Sequence, residues 1–179
     1  MLIPTKAVAN QFLDIAEGEG RFLTPMQLQK LVYFSHGWYL ALADSPLVNE
    51  RPEAWQFGPV FPSLYHTFKE YGAGNITGRA HGYESAFSED GGFSFKTTTP
   101  SMRDITDRTL RENAVGVVQR VWEVYGKWTG VQLSKMTHVE GGPWHEIWSK
   151  NKDRKGTDIP DELIKAYFKD KIGKPGKSG

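Results

Sequence analysis

The stretch TPMQLQKLVYFSHGWYLALA, residues 24–43, decides how the rest of the chain must be arranged. It begins as a helix start. Thr24 is a capping residue, Pro25 takes the first helical position, where its missing N–H is not needed, and Gln27 stands three residues after the cap. The later residues of the stretch are apolar around most of the helix circumference. Such a helix has no broad solvent face and must be packed by several neighbours, so the stretch predicts a central helix with the other elements around it. Gly37 costs about 1 kcal/mol of helix propensity, which a close approach by another backbone would explain. Beside it, His36 is open to two readings, a satisfied core histidine or a functional one.

Upstream, residues 5–17 read as a helix. Thr5 can cap it, Val8, Phe12, Ile15 and Ala16 share a face, and Gly18 and Gly20 end it. Downstream, Asp44-Ser45-Pro46 breaks the central helix and residues 46–52 read as an extended connector. Ala54-Trp55-Gln56-Phe57 alternates weakly, as a strand does, and Gly58-Pro59 turns the chain. Pro62 then opens a helix carrying Leu64, Tyr65, Phe68 and Tyr71 at helical spacing, closed by Gly72. This is a strand-corner-helix unit with an aromatic face.

Residues 73–100 are rich in glycine and poor in apolar residues. Phe87 on one side of Asp90-Gly91-Gly92 and Phe93 and Phe95 on the other signal a hairpin. The region reads as a mobile excursion from a helical core. Helical periodicity returns near Asp107 with Leu110, Ala114, Val117, Val118, Val121, Val124 and Tyr125, closed by Gly126. Thr129-Gly130-Val131-Gln132 is a second capping box, opening a short helix with Leu133 and Met136. Gly141-Gly142-Pro143 then breaks the chain before a short aromatic helix. A charged loop over 151–158 and a helix opened by Pro160 close the fold, and the tail 173–179 is expected to be disordered. The fold class is mainly α: a compact helical domain over 1–150 with a short strand or hairpin element, and a charged loop and helix at 151–172 packed on the same domain.

Composition narrows the function. A chain of 179 residues with a formal net charge of +1 has no global basic field for a nucleic-acid backbone, so nucleic acid is not an expected partner. With no cysteine, there are no disulfides, thiolate metal sites or cysteine nucleophiles. The N-terminus lacks a signal-peptide core and no run approaches the length of a membrane span, so a soluble cytoplasmic protein is expected. The aromatic content of 13%, with six Trp, serves either core filling or a sticky face.

No G-x-S-x-G elbow and no P-loop is present. YGAGNITG, residues 71–78, approaches a dinucleotide fingerprint but has one residue too many and follows a helix rather than a strand. His138, Glu140, His145 and Glu146 cluster in sequence, yet Gly141-Gly142-Pro143 denies them a shared helix face. No catalytic set, metal or cofactor is expected. A hydrolase using His138 or His36 is the enzymatic alternative.

Two segments carry a resemblance. LQKLVYFSHGWYLALADSPLVNERPEAWQFGPVFPSLYHTFKEYG, residues 28–72, joins a K-L-x-Y-F helix, a Pro-Leu connector, an E-A-W strand and a G-P-V corner in order. LSKMTHVEGGPWHEI, residues 133–147, adds a Leu-Ser…Thr-His…Pro-Trp segment. Together they resemble the SocA-like Panacea-domain antitoxin family, also described as phage-associated or genetic-element proteins. The resemblance covers most of residues 5–150. It implies a mainly helical domain that neutralises a cognate protein toxin, encoded nearby, by direct binding. One branch of the family looks like an adaptor that delivers its toxin to a Clp-type protease. Some relatives carry an N-terminal DNA-binding extension; this chain starts directly in the domain, so autorepression is not expected. With the resemblance in hand, the expected toxin-binding face combines Lys30, Tyr33 and His36 on the central helix, Trp55, Gly58, Pro59, Phe61 and Tyr65 around the corner, and Ser134, His138, Trp144 and His145 in the second segment.

Overall fold

The computed structural model describes residues 2–87, 91–151 and 156–173. The expected hairpin tip at Asp90, part of the charged loop (152–155) and the tail beyond Gly173 lie outside these residues. Helix α2, Pro25–Ala43, is the hub. Its start is fixed by the reciprocal cap read from the sequence: Gln27 N–H donates to the Thr24 hydroxyl at 3.3 Å and Thr24 N–H donates to Gln27 Oε1 at 3.0 Å. Around it pack α1 (Thr5–Gly18), α3 (Pro62–Phe68), α4 (Arg108–Tyr125), α5 (Gly130–Thr137) and α7 (Asp161–Lys171), with α6 (Pro143–Lys150) behind α5 and α7. The fold is mainly helical with minor β-structure, as the periodicity predicts.

Gly37 does serve a close approach, though to a ring rather than a backbone. A Cβ there would lie 2.3 Å from Cε2 of Phe168 on α7. The absent side chain lets Phe168 drop onto α2, where its ring meets the edges or faces of Tyr33, Phe34 and Trp38 at centroid distances of 5.0–6.4 Å. Phe34 stacks on Tyr125 of α4 at 4.4 Å and an interplanar angle of 4°. One contiguous core results, running from Ile3 to Phe168.

Thr5 does not cap α1. Pro4 occupies the cap position, and Thr5 is buried as the first helical residue, its N–H and hydroxyl both within reach of Asn49 Oδ1 at 3.3 and 3.4 Å. That contact ties the connector after α2 back to the N-terminus, where Ile3 forms a parallel bridge with Val48.

The strand-corner-helix unit takes a different form from the one expected. Strand β1 is Glu53–Trp55, the turn falls at Gln56-Phe57, and Gly58–Val60 is a second strand, β2, paired antiparallel with β1 in the register Trp55↔Gly58 and Glu53↔Val60. Gly58 is the reason. Its φ of 101° supplies the left-handed step of the turn, so Gln56 and Phe57 keep negative φ and a bulky Phe can sit at the tip. Pro59 is tolerated because β2 is an edge strand. On the other side of β1 lies β5, Thr157–Asp158, brought back by the chain before α7.

The segment 73–100 has two parts. Ile76 and Ala80 are buried in the core, and Ile76 N–H donates to Leu23 O at 2.8 Å. The buried side chain of Asn10 then clamps the two ends of the second part: its amide nitrogen donates to the carbonyls of Ala80 and Pro100, and its oxygen accepts from Ala80 N–H, all within 3.0 Å. Between these anchors, β3 (Gly82–Phe87) and β4 (Phe93–Thr98) form an antiparallel hairpin that makes its own two-stranded sheet.

Candidate functional site

The β1–β2 hairpin is held from beneath by side chains of three helices. Trp144 Nε1 on α6 donates to Trp55 O at 2.7 Å. His138, which caps the end of α5, places Nε2 3.4 Å from Gln56 O. Ser134 Oγ on α5 donates to Phe57 O at 2.8 Å, and Lys30 Nζ on α2 donates to Pro59 O at 2.9 Å. The two segments singled out in the sequence thus meet at this hairpin, although Trp55 and Trp144 are 89 positions apart. His138 is fixed further by Ser134 O, 2.6 Å from its Nδ1, and by the Trp144 ring, centroid to centroid at 3.8 Å.

Gln29 adds a fifth fastening. Its amide nitrogen donates to Phe61 O at 3.0 Å and its oxygen accepts from Phe61 N–H at 2.9 Å, so the backbone entering α3 is gripped by both ends of one buried side chain. Periodicity alone gives no sign of this role, because a Gln on an almost wholly apolar helix reads as one of its few solvent positions.

Between the hairpin, the start of α2, α3 and α6 lies an open groove of about 530 Å³. Its walls are largely apolar: Met26, Trp55, Phe57, Val60, Tyr65 and Trp148, with Lys30 contributing to the lining. Phe57 and Tyr65 are exposed, at 60% and 39%. The Tyr65 ring packs against Trp55 at 4.7 Å. Phe57 is an addition to the expected site residues. The signal for it is the large apolar residue between Gln56 and Gly58, which becomes a turn tip once Gly58 is seen to carry the positive φ.

The other candidates divide by depth. Trp55 and Tyr65 border the groove, whereas Tyr33, His36 and Phe61 are interior, with 0–2% of their surface exposed. Gly58 and Pro59 are buried strand residues that shape the hairpin. Ser134, His138 and Trp144 support it, and His145 accepts from Gly141 N–H at 3.3 Å, closing the turn before α6.

Lys30 is the electrostatic oddity. It is 1% exposed, and Pro59 O is its hydrogen-bond acceptor. Desolvation by burial lowers its pKa from the usual lysine value to about 7. His36 is also wholly buried. Its Nε2 lies 3.1 Å from Asp161 Oδ1 at the start of α7, and this hydrogen bond is the main cause holding the Asp161 carboxyl below its ordinary pKa. The other ring nitrogen, Nδ1, has no partner among the described residues. A His–Asp pair with no hydroxyl bonded to the free ring nitrogen is suited to anchoring α7 on α2 rather than to activating a nucleophile. Among the described residues no group of three or more His, Asp or Glu is placed to hold a metal ion, and no helix is long and apolar enough to cross a membrane.

Comparison with known proteins adds an independent line. The family model described as Antitoxin SocA-like, Panacea domain matches residues 28–145. The curated protein Antitoxin SocA of Caulobacter vibrioides (strain NA1000 / CB15N) is 33% identical over 171 residues, covering 93% of this chain and 83% of that protein. No solved structure matches.

Proposed function

The chain belongs to the SocA-like Panacea-domain antitoxin family, and from that premise we propose that it neutralises a cognate protein toxin by binding it directly, using the groove beside the Trp55–Val60 hairpin as its docking face. The observation that carries this reading is the convergence of α2, α5 and α6 on one short hairpin. Four carbonyls within residues 55–59 are contacted by side chains from those helices. That many fastenings on one two-stranded element fix the aromatic rim of the groove in place before any partner arrives, and a preorganised rim lowers the entropy cost of association. Exposed aromatic side chains around an apolar groove are the residue types from which interface hot spots are made.

In this reading Lys30, Ser134, His138 and Trp144 act from below by holding the hairpin, while Trp55, Phe57 and Tyr65 meet the toxin. The protein works in the cytoplasm, as a binding module with no catalytic step of its own. The test is co-expression with the small toxic protein encoded next to it, followed by size-exclusion chromatography. Rescue of growth together with a stable stoichiometric complex is the expected result. Rescue in which the toxin disappears from the cells unless a Clp-type protease is deleted would replace sequestration with proteolytic delivery. Failure to rescue or to form a complex would remove the proposal for that pair.

A further inference from the structure

Among the described residues, the charged side chains that line the groove are two lysines, Lys30 and Lys69. Lys69 comes directly after α3, is exposed, and has no ion-pair or hydrogen-bond partner for its ammonium among the described residues. Lys30 lies in the floor and, among the described residues, has Pro59 O as its polar partner but no carboxylate. The remaining described lining residues are aromatic or aliphatic, apart from Gly72 and the amides of Gln29 and Gln56. An apolar cleft concentrates the field of such cations, because its low-dielectric walls screen them less than bulk water does.

This asymmetry constrains the occupant. A purely apolar segment laid into the groove would strip water from Lys69 and leave its charge unpaired, which is unfavourable. We propose, building on the groove's role as the toxin-docking face, that it selects a toxin segment in which an aromatic or aliphatic residue is adjacent to an acidic side chain, the apolar residue entering between Phe57, Tyr65 and Trp148 and the carboxylate pairing with Lys69 above Lys30. An ammonium acts as a point charge with rotatable donors and suits a side-chain carboxylate on a flexible stem. A chain terminus is characteristically captured in a nest of backbone N–H groups instead. The lowered pKa of Lys30 supports the same assignment. At neutral pH its ammonium is close to losing its proton, and a carboxylate brought near favours the charged form.

The experiment uses the full chain and three synthetic peptides: acetyl-Leu-Phe-Glu-Leu-amide, the same peptide with Gln for Glu, and acetyl-Leu-Phe-Gln-Leu with a free carboxyl terminus. Binding is read from the indole N–H resonances of Trp55 and Trp148. The Glu peptide is expected to bind about five-fold more tightly than the Gln amide, a ratio suited to one partly exposed ion pair. That preference should fall to within about two-fold in Lys69→Gln and should shrink in 0.5 M salt, which screens exposed pairs. Equal binding of the Glu and Gln amides, or a preference that survives Lys69→Gln, overturns the carboxylate assignment while leaving the groove as a docking face. Preference for the free-terminus peptide over the Glu amide overturns it in favour of a chain end. If none of the three shifts either indole, the groove itself is not the docking face and both readings of it fall, whereas complex formation with the toxin still tests neutralisation separately.

Discussion

The indole N–H of Trp144 donates to the carbonyl of Trp55 across 2.7 Å, and so fastens the aromatic helix α6 to the first strand of the hairpin. Trp144 is 5% exposed and stacks on Trp148 at 5.7 Å, so the bond sits at the junction between core and groove. Trp144→Phe keeps most of the ring packing and removes the donor. Its expected cost is about 1 kcal/mol of stability, with a larger relative loss in toxin affinity because the rim loses a fastening. Chemical denaturation and calorimetric titration of the same samples check this. An affinity loss no larger than the stability loss would mean that the bond serves the fold alone.

Gly58 supports the hairpin in a second way. Its φ is 101°, and a Cβ placed there would come within 2.6 Å of Thr137 Oγ1 and 3.0 Å of Lys30 Cε. Conformation and space therefore both oppose a side chain. Gly58→Val is expected to destabilise by on the order of 1–3 kcal/mol from backbone strain alone and to weaken toxin binding as the rim shifts. A thermal midpoint and an affinity both unchanged from wild type would contradict this.

Much of this arrangement is legible in the sequence. The boxes at Thr24–Gln27 and Thr129–Gln132 are local hydrogen-bond patterns, and both form at the positions their residues indicate. The hairpin around Gly91-Gly92 is marked by its flanking phenylalanines. The differences involve partners far away along the chain. Strand β2 exists because β1 lies across from it, and β5 because the chain returns to β1 after about a hundred residues; neither short run alternates long enough to announce itself. In the site, the sequence places Lys30 on the binding face but does not announce its burial, because helical spacing cannot tell a solvated lysine from one covered by a hairpin folded over it. Phe57 escapes notice because Gly58-Pro59 reads as the turn itself, whereas the turn falls two residues earlier and Gly58-Pro59 opens β2.

Lys30 leaves a pH signature. In the unfolded chain a lysine titrates near about 10.4; in the folded protein burial brings this group to about 7. Between those values the unfolded state holds the proton and the folded state does not, so the slope of unfolding free energy against pH from this residue is positive. Below pH 7 both states are protonated and the full cost of the buried ammonium remains. Lys30→Met removes that titration and forfeits the bond to Pro59 O. The net gain is expected to be on the order of 3 kcal/mol at pH 6, fading as pH rises from 7 towards 10. Urea denaturation of both proteins at three pH values measures it. A difference that does not vary with pH would show that Lys30 keeps its proton when folded.

The clamp made by Asn10 defines what can be removed from the 73–100 segment. Ala80 and Pro100 are bound to the same side chain, so their backbones already lie close together. Replacing residues 83–97 with a short Gly-Ser linker should leave the core folded and the thermal midpoint within a few degrees. Removing 73–100 entirely also takes Ile76 and Ala80 out of the core, and should cost several kcal/mol. Equal destabilisation by both deletions would show that the β3–β4 hairpin supports the core after all.

The rim of the groove is where binding and folding can be separated. Phe57 is 60% exposed at the tip of a turn whose shape is set by Gly58 and by the fastened carbonyls, not by its own ring. Truncating it therefore removes little buried area. Tyr65 is 39% exposed on α3 and leans on Trp55. Phe57→Ala and Tyr65→Ala are each expected to weaken toxin binding by roughly 1–2 kcal/mol, the size of an ordinary interface contact, while stability changes by about 0.5 kcal/mol or less, as for other surface substitutions. His36→Gln provides the contrasting control. It lies wholly inside, and loss of its bond to Asp161 should lower stability, with affinity falling only as far as folding does. Affinity by calorimetry beside thermal unfolding for all three variants distinguishes the cases. Normal binding by both rim variants would move the toxin-binding face elsewhere, to the exposed aromatic surface of the β3–β4 hairpin, where Tyr83, Phe87, Phe93 and Phe95 stand uncovered.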